Sequence, residues 1–388
     1  MSQRLTKYLY VRFSYVGLIL LFLSQLAFSV DKVKSDDGAL VYVGTFNRGI
    51  YAFRINPDAR HFDSLGMVAD VERPTWVIVH PNHRLLYAVS ELGNDGKGEG
   101  YISSYKIDLH TGRLSLLNKV SGGGGGTTHL ALDKTAKILV AANFAGQVAT
   151  FHLNADGTIG ERTARIQHVS PVPDPPFPNR PHPHGVTIAP DNRYVFVPDT
   201  GLNKVFIYKL NSKNGELASG NSPVLQLPDG YGPRRIAFRP DGRFAYLIEE
   251  NNSSVTALAY EKAGGELRPL QTISTLPENF KGEKSAAELW IDKRGQFLYA
   301  ASRSDDTIVA FSIDPMNGTL SHIQSIPTQG KSPRHVTADP AGQYLFVANW
   351  MSDNVTIFKI DSSNGQLVPT GQELAVPAPT CVQLVAAE

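Results

Sequence analysis

The stretch "KSAAELWIDKRGQFLYAAS" (284–302) decides the fold, because copies of it recur along the whole chain. It begins as a short aliphatic strand, turns at a glycine, and continues as a second strand that contains an aromatic residue. Glycine supplies the positive φ that such tight turns demand. A unit of this kind, repeated at a regular interval, indicates a repeat architecture rather than a single sandwich.

Seven segments match the first strand of this unit, and their starts lie 46 to 56 residues apart. That spacing is typical of the four-stranded blades of a β-propeller. The segments are "PTWVIVHP" (74–81), "TTHLALDK" (127–134), "PHGVTIAP" (183–190), "PRRIAFRP" (233–240), "AAELWIDK" (286–293), "PRHVTADP" (333–340) and "PTCVQLVA" (379–386).

The two ends of the chain carry complementary halves of one unit. "ALVYVGTF" (39–46) matches a second strand and "GIYAFRIN" (49–56) matches a third, whereas "PTCVQLVA" is a first strand with nothing after it. The halves together make one blade, which joins the ring and leaves no free inner edge. We therefore predict an all-β, seven-bladed β-propeller over residues 38–388, closed by N- and C-terminal strands that share one blade.

The N-terminus has the layout of a secretory signal. Arg4, Lys7 and Arg12 precede the apolar run "YVGLILLFLSQLAFS" (15–29), which ends in a small-x-small pattern. The run is short for a membrane-spanning helix, which needs about 20 residues. We predict a signal peptide over residues 1–29 and a secreted or periplasmic protein; an uncleaved membrane anchor is the alternative.

The composition limits the kinds of site and partner that this chain can have. The chain has 388 residues, a formal net charge of +1 and a single cysteine, Cys381. One cysteine excludes a disulfide framework and a thiolate metal cluster. Without a basic stripe, nucleic acid is not an expected partner. We expect a monomer that has no stable membrane insertion after signal cleavage.

One slot of the first strands breaks the uniformity of the repeat. The slot after it is aliphatic in every copy, as buried blade packing requires. The slot itself, by contrast, holds Trp76, His129, Gly185, Arg235, Glu288, His335 and Cys381, and the slot before it holds Thr75, Thr128, His184, Arg234, Ala287, Arg334 and Thr380.

This divergence predicts a functional site. In a propeller the first strand of each blade is innermost, so the starts of these strands meet around one mouth of the central channel. Packing alone would favour repeating the same residue, but these slots diverge toward titratable and cationic groups. Several arginines around one carboxylate leave a positive potential that suits an anionic ligand.

At these residues the sequence resembles the seven-bladed propeller lactonases of the 6-phosphogluconolactonase type, which also include the carboxymuconate-lactonizing enzyme. The resemblance covers about residues 39–385 and rests on "HPHG" (182–185), "SAAE" (285–288) and "SPRH" (332–335). Two features depart from the family pattern. Pro-Arg-Arg (233–235) replaces the usual Pro-Arg-His, and five glycines (122–126) precede His129, where we expect a mobile rim.

The resemblance implies a lactonase, a carboxylic ester hydrolase acting on a sugar lactone or another small acidic lactone. Water attack on a ring ester needs a base and donors for the oxyanion. We predict Glu288, alone or with His184, as the base, and Arg234, Arg334 and His335 as ligands of the carbonyl oxygen and of any substrate anion. His129, Arg235 and His182 are expected to bind substrate, and His182 also fits a role in capping its proline-rich loop.

Two other functions fit the same residues. The base and acid groups suit a lactonizing cycloisomerase acting on a muconate-type diacid, and the fold also suits a non-catalytic ligand-binding or scaffold propeller. We expect no cofactor. We also expect no metal, because the two imidazoles of "HPHG" lack nearby carboxylates and the arginines repel cations.

Overall fold

The computed structural model describes residues 38–56, 61–173, 179–218 and 223–386. The predicted signal peptide (1–29) lies outside the described residues. In the described part of the chain, no helix is long and apolar enough to cross a membrane.

The described residues form 29 β-strands and one 3-10 turn, Trp350–Ser352. The first half of the chain contains β1 (Leu40–Thr45), β2 (Arg48–Ile55), β3 (Phe62–Glu72), β4 (Val77–Val79), β5 (Leu85–Ser90), β6 (Tyr101–Ile107), β7 (Leu114–Ser121), β8 (Thr127–Leu132), β9 (Ile138–Asn143), β10 (Gln147–Leu153), β11 (Ile159–Gln167), β12 (Thr187–Ile188), β13 (Tyr194–Asp199) and β14 (Lys204–Leu210). The second half contains β15 (Leu217–Ala218), β16 (Val224–Gln226), β17 (Pro233–Phe238), β18 (Phe244–Glu249), β19 (Ser254–Glu261), β20 (Glu266–Ser274), β21 (Ala286–Ile291), β22 (Phe297–Ser302), β23 (Thr307–Ile313), β24 (Leu320–Pro327), β25 (Pro333–Ala338), β26 (Tyr344–Asn349), β27 (Asn354–Ile360), β28 (Leu367–Ala375) and β29 (Pro379–Val385).

These strands form seven antiparallel sheets, which confirms the predicted seven blades. Six sheets are sequential, from β4–β7 to β25–β28. The seventh has the order β29-β1-β2-β3, so the C-terminal strand pairs with the N-terminal one, Val43 opposite Val382. The two half-units seen in the sequence therefore close the ring as predicted.

The first strands of the blades surround the axis. Contacts run from β4 to β8, β12, β17, β21, β25 and β29, and from β29 back to β4. Between neighbouring blades lie seven apolar clusters built from the alternating inward positions of the strands, such as Tyr246, Leu289 and Phe311. Alternation with a period of two places these residues on the faces that pack blade against blade.

Buried tyrosines of four second strands tie their blades to the next. Tyr42 donates a hydrogen bond to the carbonyl of Gly112, at 3.0 Å, and Tyr299 donates one to the carbonyl of Gly365, also at 3.0 Å. Tyr87 and Tyr246 make the same contact with the corresponding turns of the next blades. Where the aromatic residue of the second strand is a tyrosine of this kind, it links two blades, and its buried hydroxyl has a hydrogen-bond partner.

The glycine run 122–126 differs from the expected mobile rim, because all five residues are buried and hydrogen-bonded. Gly122 donates to the carbonyl of Gly100, and Gly126 donates to the carbonyl of Leu92. At Gly125, an added Cβ would lie 2.2 Å from the carbonyl oxygen of Gly93. The glycines allow two loops to pack at backbone distance, so they serve close approach rather than flexibility.

We expect Gly125→Ala to lower the free energy of unfolding by about 1–3 kcal/mol, because the backbone atoms that it meets cannot move aside like a side chain. Urea denaturation would measure the loss. Gly264→Ala is the matched control, since its Cβ would have no neighbour closer than 3.5 Å. Equal stability of the two variants would show that the glycine run is not tightly packed.

Candidate active site

Two adjacent slots at the starts of the first strands carry most of the predicted residues, and the fold buries nearly all of them. His129, His184, Arg234, Arg235, Glu288 and His335 are each at most 7% exposed, whereas Arg334 is partly exposed. We call these seven residues the central cluster. Buried polar groups of this number are costly unless they find partners, so their contacts define what the site can do.

Arg235 donates hydrogen bonds to two other members of the central cluster, Glu288 and His184. Its Nε donates to Glu288 Oε2 at 3.0 Å, and one of its terminal nitrogens donates to His184 Nδ1 at 3.1 Å. Its guanidinium also lies over the Trp76 ring, 5.2 Å from the centroid. The departure from the family pattern at Arg235 therefore provides a buried ion pair with Glu288 and a fixed orientation for His184.

The three histidines of the central cluster all use Nδ1 as an acceptor. His184 Nδ1 accepts from Arg235, His129 Nδ1 accepts from the backbone N–H of Val186, and His335 Nδ1 accepts from that of Val382. In a neutral imidazole the proton is then on Nε2. Each of these histidines can therefore offer an Nε2–H donor.

Burial, followed by the charges of Arg234 and Arg235, keeps these imidazoles neutral. These effects hold the pKa of His129 and of His184 well below the ordinary histidine value and lower the pKa of His335 to about 3. A neutral imidazole that donates from Nε2 suits an oxyanion or a substrate hydroxyl. It does not suit removal of a proton from water, because Nδ1 is already engaged.

A second set of divergent residues, which the sequence analysis missed, follows the second strands directly. We call it the second-strand column: Phe46, Glu91, Phe144, Thr200, Glu250, Arg303 and Trp350. The signal was available, because these positions vary from blade to blade, whereas the position two residues earlier is always non-polar: Gly44, Val89, Ala142, Pro198, Ile248, Ala301 and Ala348.

Glu250 of the second-strand column lies between two arginines. Its Oε2 accepts from Arg234 Nε at 3.0 Å and its Oε1 accepts from Arg303 at 2.5 Å. Burial raises the pKa of Glu250, but the charges of Arg303 and Arg234 outweigh it and leave the pKa below that of an ordinary glutamate. The Glu250 side chain is 22% exposed, against 8% for Glu288, so Glu250 is the more accessible ionised carboxylate.

Arg334 differs from the other arginines of the central cluster. Its guanidinium lies over two rings of the second-strand column, 5.4 Å from the Phe46 centroid and 5.6 Å from that of Trp350. Among the described residues it has no ion pair, although the charges of Glu91 and Glu250 act on it. Glu91 itself is buried and accepts hydrogen bonds from Thr75 and Thr128.

His182 lies beside the central cluster and is fixed by the fold. Its ring stacks on Phe144 at 4.3 Å and its Nδ1 donates to the Phe144 carbonyl at 3.0 Å. Its backbone N–H donates to Asp199 Oδ1 at 2.8 Å, while Asp199 Oδ2 lies 2.6 Å from His168 Nδ1. The buried Asp199–His168 pair thus anchors the "HPHG" segment that positions His184.

The cluster and its surroundings are rich in donors. Three arginines share two carboxylates, Arg334 lies apart from them, and the imidazoles add further N–H groups. Such an arrangement favours a ligand with many acceptor oxygens and a negative or developing negative charge. Within the described ranges, no group of three or more histidine, cysteine or acidic residues is placed to hold a metal ion.

Comparison with known proteins identifies a matching family and similar structures. Residues 40–384 match the family described as "Lactonase, 7-bladed beta-propeller". A 6-phosphogluconolactonase of Bacillus subtilis is 30% identical over 298 residues, 76% of this chain and 83% of its own length. The structure of the Pseudomonas aeruginosa periplasmic gluconolactonase PpgL superposes with a TM-score of 0.83 at 31% identity, covering 90% of this chain and 99% of that one. A putative 6-phosphogluconolactonase of Bacteroides fragilis gives a TM-score of 0.82 at 28% identity, covering 92% of this chain and all of the other.

Proposed function

The chain belongs to the lactonase family of seven-bladed β-propellers, and from this premise we propose that it opens a sugar lactone by hydrolysis at the central cluster. The relatives named above are lactone hydrolases, which supports a ring-opening reaction of a carboxylic ester. The proposal that the site lies at one mouth of the channel follows from the first strands that carry the cluster.

One observation carries the assignment of the chemistry. A partly exposed, ionised carboxylate, Glu250, lies against Arg234 and Arg303, and its charge acts on Arg334, which has no ion pair among the described residues. The charge of Arg234 also acts on the neutral imidazoles of the central cluster. A base beside several preorganised donors is what ester hydrolysis by water requires. Because all of these groups are on strands or directly after them, their positions are fixed before substrate binds.

In the proposed reaction, Glu250 removes a proton from water while the water oxygen bonds to the lactone carbonyl carbon. The carbonyl π electrons move to its oxygen, and this oxyanion accepts hydrogen bonds from Arg234, Arg334 and the Nε2–H of His184. Collapse of the intermediate breaks the ring C–O bond, and the departing alkoxide takes the proton from Glu250. The product is the open-chain hydroxy acid.

The other predicted residues have supporting roles in this proposal. Glu288 holds Arg235, and Arg235 in turn holds His184 in its donor tautomer. His129 and His335 supply further Nε2–H donors for substrate oxygens, and His182 keeps the "HPHG" segment in place. The assignment of Glu288 as the base stays a prediction that competes with Glu250.

We also propose that the protein is exported through residues 1–29. The n-region, apolar run and small-x-small end support this, as does the likeness to a structure titled a periplasmic gluconolactonase. A protein exported in this way without disulfides depends on blade packing alone for its stability, as the seven buried clusters allow.

A panel of lactones tests the proposed function. We expect the chain without residues 1–29 to release protons from glucono-1,5-lactone or its 6-phosphate much faster than spontaneous hydrolysis, by at least about 10²-fold for one of them. A weakly buffered indicator assay measures this release, with enzyme-free and muconolactone reactions run in parallel. A protein that binds these compounds but opens none would instead favour the ligand-binding propeller.

A further inference from the structure

Arg73 carries a positive charge beside the central cluster that no described carboxylate neutralises. Its Cζ lies 4.4 Å from the centroid of the Phe46 ring, and its buried Nε has no hydrogen-bond partner in the part of the chain that the structure describes. A guanidinium gains only about 0.5–2 kcal/mol from an aromatic face, less than a bidentate anion provides. Arg73 therefore retains most of its capacity to bind an oxyanion.

Arg334 lies over the same Phe46 ring and also over Trp350. The two rings are in contact, with centroids 5.1 Å apart. Two arginines that form no ion pair with a carboxylate in the described part of the chain thus contact the same Phe46 ring at the edge of the central cluster. An anion that reached both guanidinium groups would accept charge-assisted hydrogen bonds from each of them.

The backbone holds Arg73 in this place at a conformational cost. Arg73 has φ of 46°, in the left-handed region that residues other than glycine and asparagine rarely adopt. Its N–H donates to the carbonyl of Asn47, next to Phe46, and its carbonyl accepts from the N–H groups of Thr75 and Glu91. The same left-handed backbone occurs at the corresponding position of other blades, at Gly126, Gly232, Ser332 and Ala378, so it belongs to the repeat. What distinguishes this blade is the arginine side chain that the repeat holds at that position.

We propose that Arg73 and Arg334, on the platform of Phe46 and Trp350, form a subsite for an anionic group that the lactone carries outside its ring. This inference rests on the proposed function. The group is a phosphate or a carboxylate, because both accept the planar pair of N–H donors that a guanidinium presents. Arg73 is then a specificity-determining residue that favours anionic lactones over neutral ones.

The test is the ratio of kcat/KM for an anionic lactone to kcat/KM for neutral glucono-1,5-lactone. The anionic substrates are 6-phosphoglucono-1,5-lactone and glucaro-lactone, which separate phosphate from carboxylate. In Arg73→Asn we expect this ratio to fall at least tenfold for one of them. Asparagine accepts the left-handed backbone, so this variant removes the charge without adding strain.

Two further variants serve as controls for this result. Arg73→Lys should recover part of the ratio, since it restores the charge but not the planar fork. Arg268→Gln removes an exposed arginine from the outer strand β20 and should leave the ratio unchanged. A ratio in Arg73→Asn equal to that of the unmodified protein for both anionic substrates would overturn the subsite.

A binding measurement keeps the subsite testable if the protein opens no lactone. Calorimetric titration with 6-phosphogluconate, glucarate and inorganic phosphate reads the subsite without turnover. At least tenfold weaker binding of one of these anions to Arg73→Asn supports the subsite, even where the proposed hydrolysis has failed. Equal affinity of the two proteins for all three anions excludes it.

Discussion

Glu250→Gln is expected to lower kcat for lactone opening by about 10²–10⁴, the usual contribution of one positioned base. Glutamine keeps the shape and can still accept a hydrogen bond from Arg234 or Arg303, but it cannot take a proton from water. The pKa of Glu250 lies below that of an ordinary glutamate. In the unmodified enzyme, kcat/KM should therefore stay flat from neutral pH down to about pH 5 and fall only below it.

Glu288→Gln is the matched comparison, because it makes the same chemical change at a more buried side chain. The Glu288 side chain is 8% exposed, whereas the Glu250 side chain is 22% exposed. Glu288 is the buried partner of Arg235, so its loss leaves that guanidinium without a counter-charge. Removing one member of a buried pair typically costs about 3–5 kcal/mol of stability. We expect a lower melting temperature for Glu288→Gln, but a change in kcat of less than about tenfold.

Steady-state proton release by folded protein, checked by circular dichroism, separates the two roles. Loss of turnover in Glu288→Gln together with activity in Glu250→Gln would return the base to Glu288, as the sequence first suggested. Unchanged kcat in both variants would mean that neither carboxylate is the base.

The fold could be predicted from the sequence because each blade repeats the same physical requirements. An aliphatic first strand recurs seven times, most second strands contain an aromatic residue and several turns contain glycine. The half-units at the ends have only each other as partners. The third blade is less regular: β12 has two residues, and both β15 and β16 pair with β14. The preceding segment "PDPPFPNRPHPHG" (173–185) is rich in proline, which removes the backbone donors that a longer strand would need.

The site was predictable to the extent that it lies on the repeat. Divergence within the first-strand slots singled out the central cluster, and the same test applied one strand further would have found Glu250 and Arg303. The pairing of each arginine with its carboxylate was not predictable. Sequence alone could not show that Arg235 holds Glu288 while Arg234 holds Glu250, because the strand register is irregular between Pro233 and Arg235 and the regular alternation of side chains does not apply there.

Close packing was the other feature that escaped the sequence. Five consecutive glycines indicate freedom in an unfolded chain, but here they meet backbone atoms of the loop that contains Gly93 and Gly98. Likewise, the left-handed backbone of Arg73 is marked only by its position in the repeat, where other blades carry Gly126 and Gly232.

The stability of the protein should pass through a maximum near neutral pH, with each arm caused by different buried groups. On the acid side, His129, His184 and His335 stay neutral in the fold but take protons in the unfolded chain below about pH 6.5. The unfolded state then binds more protons, so stability falls as the pH falls, by about 1.4 kcal/mol per pH unit for each histidine.

Glu249 has the opposite effect, because burial raises its pKa to about 8. Between about pH 4.5 and 8 the folded state holds its proton, so this group favours unfolding as the pH rises.

Two variants show which groups cause each arm of the stability curve. The free energy of unfolding in urea is measured for each variant from pH 5 to pH 9. His335→Asn places an amide oxygen where Nδ1 accepts from Val382, and it should reduce the acid slope by about one proton, since the pKa of His335 in the fold is about 3. Glu249→Gln should leave the slope that the histidines cause below pH 6.5 but remove the loss of stability from about pH 6.5 to 8. The arms need separate variants because three histidines outweigh one glutamate below pH 6, whereas only Glu249 of these four groups titrates above pH 7. An acid slope that His335→Asn does not change would show that His335 is protonated in the fold, and the neutral donor assigned to it in the site would then be lost as well.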